Sequence, residues 1–405
     1  MRLISFMLKI RLKDHKEIPI KAGHPWAFSN ALLDVPDLPE GELVTLCTYD
    51  GNPLGTGTYN KNCSIRVRMI SLDPEEKIDT EFFVKRFKEL DEVKTSLLPP
   101  KTTGYRIVHA EGDNLPGLIL DRYGDAFVFQ LHTAGMDLLR EMIIEAIKKT
   151  FKPEIIVERS DLEVRRQEDL SPLPPRVHFG EIKETQTFEE NGIKFYADIL
   201  KGQKTGFFLD QRTARMKIKE LAEGKRVLNL CSYTGAFGLY ALKGGATFVN
   251  NVDVSESALA LAEENLKLNK TTPKDKKKMK FTNADVFEFL REKEIPDGPY
   301  DLIICDPPAF AKTERQLDHA MKAYTDLNQS CFHHLGKGGI LLTSSCSGRV
   351  TQEDFRSVLR IAAGRSRRDV QLLEWISQAP DHTEKLAFSE GRYLKTAVLR
   401  VKGLM

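Results

Sequence analysis

From about residue 185 onward, short apolar runs alternate with longer stretches in which apolar residues recur at helical spacing. The runs are RVLNL (226–230), TFVNNVDV (247–254), KMKFTNAD (278–285), YDLIICDPP (300–308), GILLTSSCS (339–347), VQLLEWISQ (370–378) and LKTAVLRV (394–401). Between them lie amphipathic segments such as SESALALAEENLKLN and TQEDFRSVLRIAA. Ser255 is placed to cap the first of these, with Glu256 in its opening turn. Such alternation predicts a parallel sheet covered by helices on both faces, with ligands at the carboxyl ends of the strands.

The upstream pattern differs. Residues 1–75 read as short strands separated by turns: LISFMLKIRL, a loop through GHPWAFSNAL, ELVTLCTYDGNPLGTGTYN and SIRVRMIS. Asp50-Gly51 between β-prone runs signals a hairpin, and the glycines around it suit a small curved barrel. FFVKRFKELDEVKTSLL then has helical periodicity. It is followed by YRIVHAEGD, the continuous run GLILDRYGDAFVFQLH, the amphipathic MDLLREMIIEAIKKTF and EIIVERS. This strand-strand-helix-strand order predicts a small α+β domain. The polar, proline-bearing stretch 161–182 reads as a linker. The predicted divisions are therefore residues 1–75 (all-β), 76–184 (central α+β with linker) and 185–405 (the alternating domain).

With 405 residues, several domains are the prior; 41% hydrophobic and 29% charged residues describe a globular chain rather than a disordered one. No apolar run approaches the length of a membrane span, and the start lacks the features of a secretory signal, so a cytoplasmic protein without a membrane partner is expected. The six cysteines have no zinc-like spacing, and no metal site is predicted. The net charge of +2 is nearly neutral, yet cations cluster in residues 1–24, in KTTPKDKKKMK (270–280) and in RSVLRIAAGRSRR (356–368). Clusters of this kind fit phosphate contacts, or else simply solvated faces.

The chemistry concentrates at the ends of the alternating strands. CSYTGAFG (231–238) is a small-residue turn opening a helix, in which Gly235 and Gly238 would admit close approach of a ligand; it lacks the dinucleotide fingerprint. Asp253 ends the second strand, where an acid can accept from both ribose hydroxyls of an adenosine-containing cofactor, and Asp285 ends the third, where a carboxylate can meet an adenine amino group. Each acid taken alone reads more readily as a helix cap, but three strand-end features in register favour a cofactor site. Asp306-Pro307-Pro308 closes the fourth strand with a rigid extended backbone that can present a carboxylate and carbonyls to a base. Cys346 closes the fifth, and in a doubly wound sheet that strand lies beside the fourth. A thiolate there could add to C6 of a pyrimidine and make C5 nucleophilic towards an activated methyl group. The alternative is a packed cysteine at a strand end. By strand alternation Cys305 belongs to the core.

Together, VLNLCSYTGAFG, NVDVSE, NADVFEFL, DLIICDPPAFAK and GGILLTSSCSG resemble the class I S-adenosylmethionine-dependent methyltransferase motifs in order. KTGFFLDQR (204–212), APDHTEKLAFSEGRYLKTAVLRV and the PUA-like GHPWAFSNAL extend the likeness over nearly the whole chain. The chain is similar to the PUA-bearing 23S rRNA cytosine-5 methyltransferase I family. That resemblance implies a multidomain α/β protein with an N-terminal PUA-like β-barrel, a central α+β domain and a Rossmann-like catalytic domain. The catalytic sheet would have seven mostly parallel strands, the last antiparallel. It implies S-adenosylmethionine held by Phe208, Asp210, Arg212, Asn229, Ser232, Tyr233, Thr234, Gly235, Asp253, Val254, Ser255, Asn283, Asp285, Val286 and Asp306. Pro307, Pro308, Phe310, Lys312 and His382 would meet the base. Cys346 would be the nucleophile, ribosomal RNA (23S) the partner, and a homodimer stays open.

The chain departs from the two-cysteine cytosine-5 enzymes, because DPPAF has no cysteine after Asp-Pro; Asp306 is then the candidate base. Single-cysteine uracil-5 enzymes are closer in this respect, so uracil stays open as a target. Methylation of an exocyclic amine, as on guanine, fits less well because Ala309 separates Phe310 from the second proline. A different methyltransferase with Cys346 merely packed, and a non-catalytic RNA-binding protein that keeps the cofactor site, are the competing readings.

Overall fold

The computed structural model describes residues 7–182, 185–311 and 314–404. The chain divides into two compact units. One runs to Gly192 and includes Ala197–Leu209 and Pro380–Gly391; the other comprises Ile193–Tyr196, Asp210–Ala379 and the chain from Arg392.

The first unit holds two five-stranded sheets. In the N-terminal sheet, β1 (Leu8–Arg11), β2 (Trp26–Phe28), β3 (Leu43–Cys47), β4 (Pro53–Tyr59) and β5 (Ile65–Ser71) lie in the order β1-β3-β4-β5-β2. The Asp50-Gly51 turn joins β3 to β4 as an antiparallel hairpin. Ile10, Val44, Leu46, Tyr59 and Val67 form its core. The segment read as a loop through GHPWAFSNAL contains β2, which pairs with β5. Three residues are too few for an alternation signal to register, and pairing with β5 is what makes them a strand.

The second sheet of this unit comprises β6 (Gly104–His109), β7 (Leu118–Tyr123), β8 (Ala126–Leu131), β9 (Ile155–Glu158) and β10 (Arg176–Phe179) in the order β10-β9-β8-β7-β6. The helices Thr80–Leu97 and Arg140–Phe151 bury Phe83, Phe87, Ile143 and Ile147 in the same core. The side chain of Asp79 caps the first helix. Two sequence expectations are corrected here. GLILDRYGDAFVFQLH is a hairpin, β7 and β8 turning at Gly124-Asp125, rather than one strand. Both arms are almost wholly buried, so no change of polarity marks the turn. The supposed linker contributes β10, a mostly exposed edge strand whose polarity imitates a loop.

Lys94 is fully buried in this unit. It pairs with Asp113 at 2.9 Å and donates to the carbonyl of Asp381 at 2.9 Å and to Oγ1 of Thr383 at 2.8 Å. A desolvated ammonium must find acceptors, so this lysine helps to hold Pro380–Gly391 within the first unit.

Strands β11 (Gln186–Glu190) and β12 (Ile193–Ala197) fall where the chain passes between the units. The second unit is built on β13 (Arg226–Leu230), β14 (Phe248–Asp253), β15 (Met279–Asn283), β16 (Tyr300–Cys305), β17 (Leu335–Ser345), β18 (Arg368–Ile376) and β19 (Lys395–Leu404). Their order is β15-β14-β13-β16-β17-β19-β18; β13 to β17 run parallel, and β19 is antiparallel to both its neighbours. Leu228, Val252, Ile303, Leu341 and Leu399 anchor the core beneath the helices. From β13 the chain builds outward to one side and then returns to build the other, so β13 and β16 flank the switch point where such sheets bind ligands.

Candidate active site

The crevice begins at the loop after β13. Cys231 and Tyr233 both have left-handed backbones, with φ of 53° and 46°, and so collect strain where the chain turns into the helix Ala236–Lys243. Asp253 ties this loop to the next: its two carboxylate oxygens accept from the N–H of Tyr233 and of Ser255, each at 2.8 Å. The helix cap is Ser255 itself, whose hydroxyl accepts from the N–H of Ala258. Asp253 therefore holds the two loops together, and its oxygens keep further lone pairs for a ligand. Asn283 donates to the carbonyl of Val254 at 2.9 Å, while the Val254 side chain is 72% exposed. Asp285 caps the short helix that begins at Val286, accepting from the N–H of Phe287 and Glu288; Val286 itself is buried in the core.

The two glycines of the turn also stand close against protein atoms. A Cβ on Gly238 would lie 2.2 Å from Oδ1 of Asn251, and one on Gly235 would lie 2.8 Å from Cβ of Ala262. Both therefore make room for protein packing. Asn251 uses that room to accept from Nδ2 of Asn229 at 2.9 Å.

Around this crevice the sequence leaves buried polar atoms without protein partners: Asn229 Oδ1, Ser232 Oγ, Thr234 Oγ1, Asp210 Oδ1 and Gln211 Oε1. Buried polar groups in folded proteins are normally satisfied, so a cluster of orphans at the strand ends calls for a polar ligand. Hydroxyls and acceptor oxygens beside the Asp253 carboxylate suit the hydroxyls, amine and ammonium of S-adenosylmethionine. The donor set fits that cofactor.

The second half of the site follows β16 and β17. Asp306 accepts from Nε2 of Gln211 at 2.7 Å. Its neighbour Asp210 is held by the hydroxyl of Tyr393 at 2.7 Å. Burial, and then repulsion from Asp210, pushes the Asp306 carboxyl up to about 7, against hydrogen bonds from Ser344 and Gln211 and the attraction of Arg215. Register brings Cys305 opposite Thr343 on the parallel strand. The half-buried Cys346 then lies with its sulfur 3.9 Å from the carbonyl oxygen of Pro307. Cys305 is fully buried, as strand alternation requires.

Pro307 is buried and Pro308 exposed. The Phe310 ring packs 4.7 Å from Tyr324 and belongs to the rim of the core. Arg212 is buried at the start of the helix Arg212–Leu221. Phe208 is half-buried in the first unit. His382 also belongs to the first unit, 3% exposed, its ring against His109 and its Nδ1 3.3 Å from Asp381. Lys312 lies outside the described residues. Among the described residues no helix is long and apolar enough to cross a membrane. Several cations of the basic clusters are already paired: Arg11 with Asp34, Lys278 with Asp275, Lys280 with Asp297 and Arg365 with Asp326.

Sequence reasoning passed over Gln211, Tyr393 and Lys395. Gln211 stands between two residues that the FFLDQR motif did supply. Lys395 carried a readable signal, a lysine just ahead of the apolar run Ala397–Leu399.

Comparison with known proteins agrees with this geometry. A family model for S-adenosylmethionine-dependent methyltransferases matches residues 175–384, and one for a PUA-like domain matches 10–72. The ribosomal RNA large subunit methyltransferase I of Aeromonas salmonicida is 41% identical over 97% of this chain and 99% of that protein. The chain belongs to this family. Its namesake from Shewanella frigidimarina is 40% identical over the same share of the chain. Among solved structures, a protein from Streptococcus mutans described as a SAM-dependent methyltransferase covers 98% of this chain at 25% identity, with a TM-score of 0.81. A methyltransferase solved in complex with SAH aligns at 26% identity over 98% of this chain and the whole of that chain, with a TM-score of 0.82. Membership of the family carries with it the PUA-like domain, the methyltransferase fold and use of S-adenosylmethionine.

Proposed function

We propose that this methyltransferase acts in the cytoplasm on C5 of a cytosine in 23S ribosomal RNA, with Cys346 as nucleophile and Asp306 as base. The observation that carries the reading is the 3.9 Å approach of the Cys346 sulfur to the Pro307 carbonyl, which sets a thiol beside the Asp306-Pro307-Pro308 turn. The names of the relatives support large-subunit ribosomal RNA as the substrate.

The thiolate of Cys346 adds to C6 of the pyrimidine, and the electron pair moves to C5. When bound, S-adenosylmethionine supplies an electrophilic methyl group. Asp306, poised near neutrality, takes the C5 proton; the C6–S bond then breaks and the thiolate is restored. The carbonyls at Pro307 and Pro308 would orient the base. Asp210, Arg212, Asn229, Ser232, Tyr233, Thr234, Gly235, Asp253, Val254, Ser255, Asn283, Asp285 and Val286 would surround the cofactor. A target in folded RNA must be unstacked to enter, and the PUA-like region would supply phosphate contacts. We assign residues 1–75, 76–184 and 185–405 to RNA binding, a central module and catalysis.

The test is transfer of a labelled methyl group to undermethylated rRNA, followed by mass analysis of the nucleosides. Wild-type protein should yield 5-methylcytidine, and Cys346→Ala should abolish it while binding cofactor normally. Undiminished product from Cys346→Ala would end the covalent mechanism, and 5-methyluridine would move the target to uracil.

A further inference from the structure

The cysteine has a cationic neighbour that neither its motif nor the family resemblance assigns. Lys395 opens β19 and pairs with Ser345 across the antiparallel ladder, one residue before the cysteine. Its side chain turns into the protein, leaving the residue only 4% exposed. Nζ donates to the carbonyl of Ser347 at 2.7 Å and to that of Tyr393 at 2.8 Å. Cys346 is thus bracketed by the residue that Lys395 faces and the residue to which it bonds.

An ammonium carries three donors, and here two carbonyls take two of them. Among the described residues no carboxylate lies within ion-pair distance of Nζ. Burying an ammonium without a directly paired carboxylate is costly, and the charge of Asp354 acts on it only from beyond ion-pair distance. An anion forming at residue 346 would add a further counter-charge.

We propose that Lys395 is a positioning residue that acts through Cys346, its ammonium stabilising the thiolate before the base is attacked. The inference rests on the reading of Cys346 as nucleophile. The thiol proton leaves to solvent, and the lysine keeps its own. Burial lowers the Lys395 ammonium to about 8, while the Cys346 sulfur and Asp354 pull it back up. It is therefore charged at neutral pH and loses that charge in mildly alkaline solution. Among the described residues, the titratable groups near this corner include Asp354; Tyr324, which burial pushes up to about 12 so that its phenol stays neutral; and Asp306, whose ionisation near 7 opposes a thiolate.

The experiment alkylates the full-length protein with iodoacetamide across pH and follows the Cys346 peptide by mass spectrometry. Wild-type Cys346 should react with a midpoint about one pH unit or more below the ~8.5 of an ordinary thiol, the shift a nearby cation produces. Lys395→Met should move the midpoint up and slow alkylation at pH 7 about tenfold, while Lys395→Arg should keep most of the wild-type rate. A wild-type midpoint at or above that of a free thiol would overturn the proposal even if Lys395→Met failed to fold. So would an unshifted midpoint in a folded Lys395→Met protein. The assay reads the thiol without RNA, so its failure is distinct from failure of Cys346 as nucleophile, which Cys346→Ala turnover decides.

Discussion

Gln211 donates its side-chain amide to Oδ1 of Asp306 at 2.7 Å. The bond runs from the FFLDQR motif, at the N-cap of the helix Arg212–Leu221, to the end of the fourth parallel strand, and it favours the charged form of a carboxyl that burial and Asp210 would keep neutral. The proton-accepting capacity proposed for Asp306 is thus set partly by a residue outside its own loop.

Turnover should therefore rise with pH through about 7, as the Asp306 carboxyl ionises. Gln211→Ala removes a donor to the carboxylate, so its acidic limb should move to higher pH. Asp306→Asn should lose the limb along with most of the activity. A pH–rate profile of Gln211→Ala that overlays the wild type would disconnect the pair.

The same carboxyl bears on stability. Its folded value lies above the unfolded one, so the folded state holds the proton more tightly, and stability is lost as pH rises from about 4 through about 7. Asp306→Asn should consequently be more stable than wild type at pH 8, by about 1–2 kcal/mol after allowance for its part-exposed position. Urea denaturation at pH 5 and pH 8 checks the sign: the difference must grow towards pH 8.

Asp253 receives two loop N–H groups and faces the proposed ribose site. Asp253→Ala removes charge-assisted hydrogen bonds worth about 1.5–3 kcal/mol apiece, so S-adenosylmethionine should bind at least ~10-fold more weakly. Isothermal calorimetry showing wild-type affinity would refute the assignment.

Gly238 stands against the Asn251 amide. Gly238→Ala should cost about 1–3 kcal/mol by overpacking and should break the Asn229–Asn251 bond. Unchanged denaturation midpoints would mean that the asparagine can step aside.

Glu158 supplies an independent handle on the first unit. Burial alone would raise its carboxyl, but hydrogen bonds from His178 and Ser160 and the Arg140 pair outweigh it and hold the group at about 2. Its contribution is present above the unfolded value near 4 and fades as pH falls through about 2. Glu158→Gln should destabilise the protein at pH 7 by about 3 kcal/mol and have a much smaller effect near pH 2. An equal loss at both pH values would show that the charge is not the cause.

Much of the catalytic sheet was legible because a parallel strand buried on both faces must be a short apolar run, and each helix must present an apolar stripe to it. Once the alternation is seen, the strand ends that carry Asp253, Asp285, Asp306 and Cys346 follow from chain order. The hairpin of β7 and β8 was not legible, since burial on both arms erases the polarity that marks a turn. Nor was β10, whose exposed residues resemble a loop until β9 supplies hydrogen-bond partners.

By itself the amino-acid order determined the methyltransferase motifs, the class of fold and the neighbouring of residues 306 and 346, because these depend on local periodicity and on the fixed handedness of parallel crossovers. Tertiary structure alone decided that Gly235 and Gly238 serve Ala262 and Asn251, that Gln211 bonds Asp306, and that a lysine 49 positions beyond Cys346 turns inward beside it. Those relationships join segments far apart in the chain, and only the packing of strands and helices brings their side chains within reach of one another.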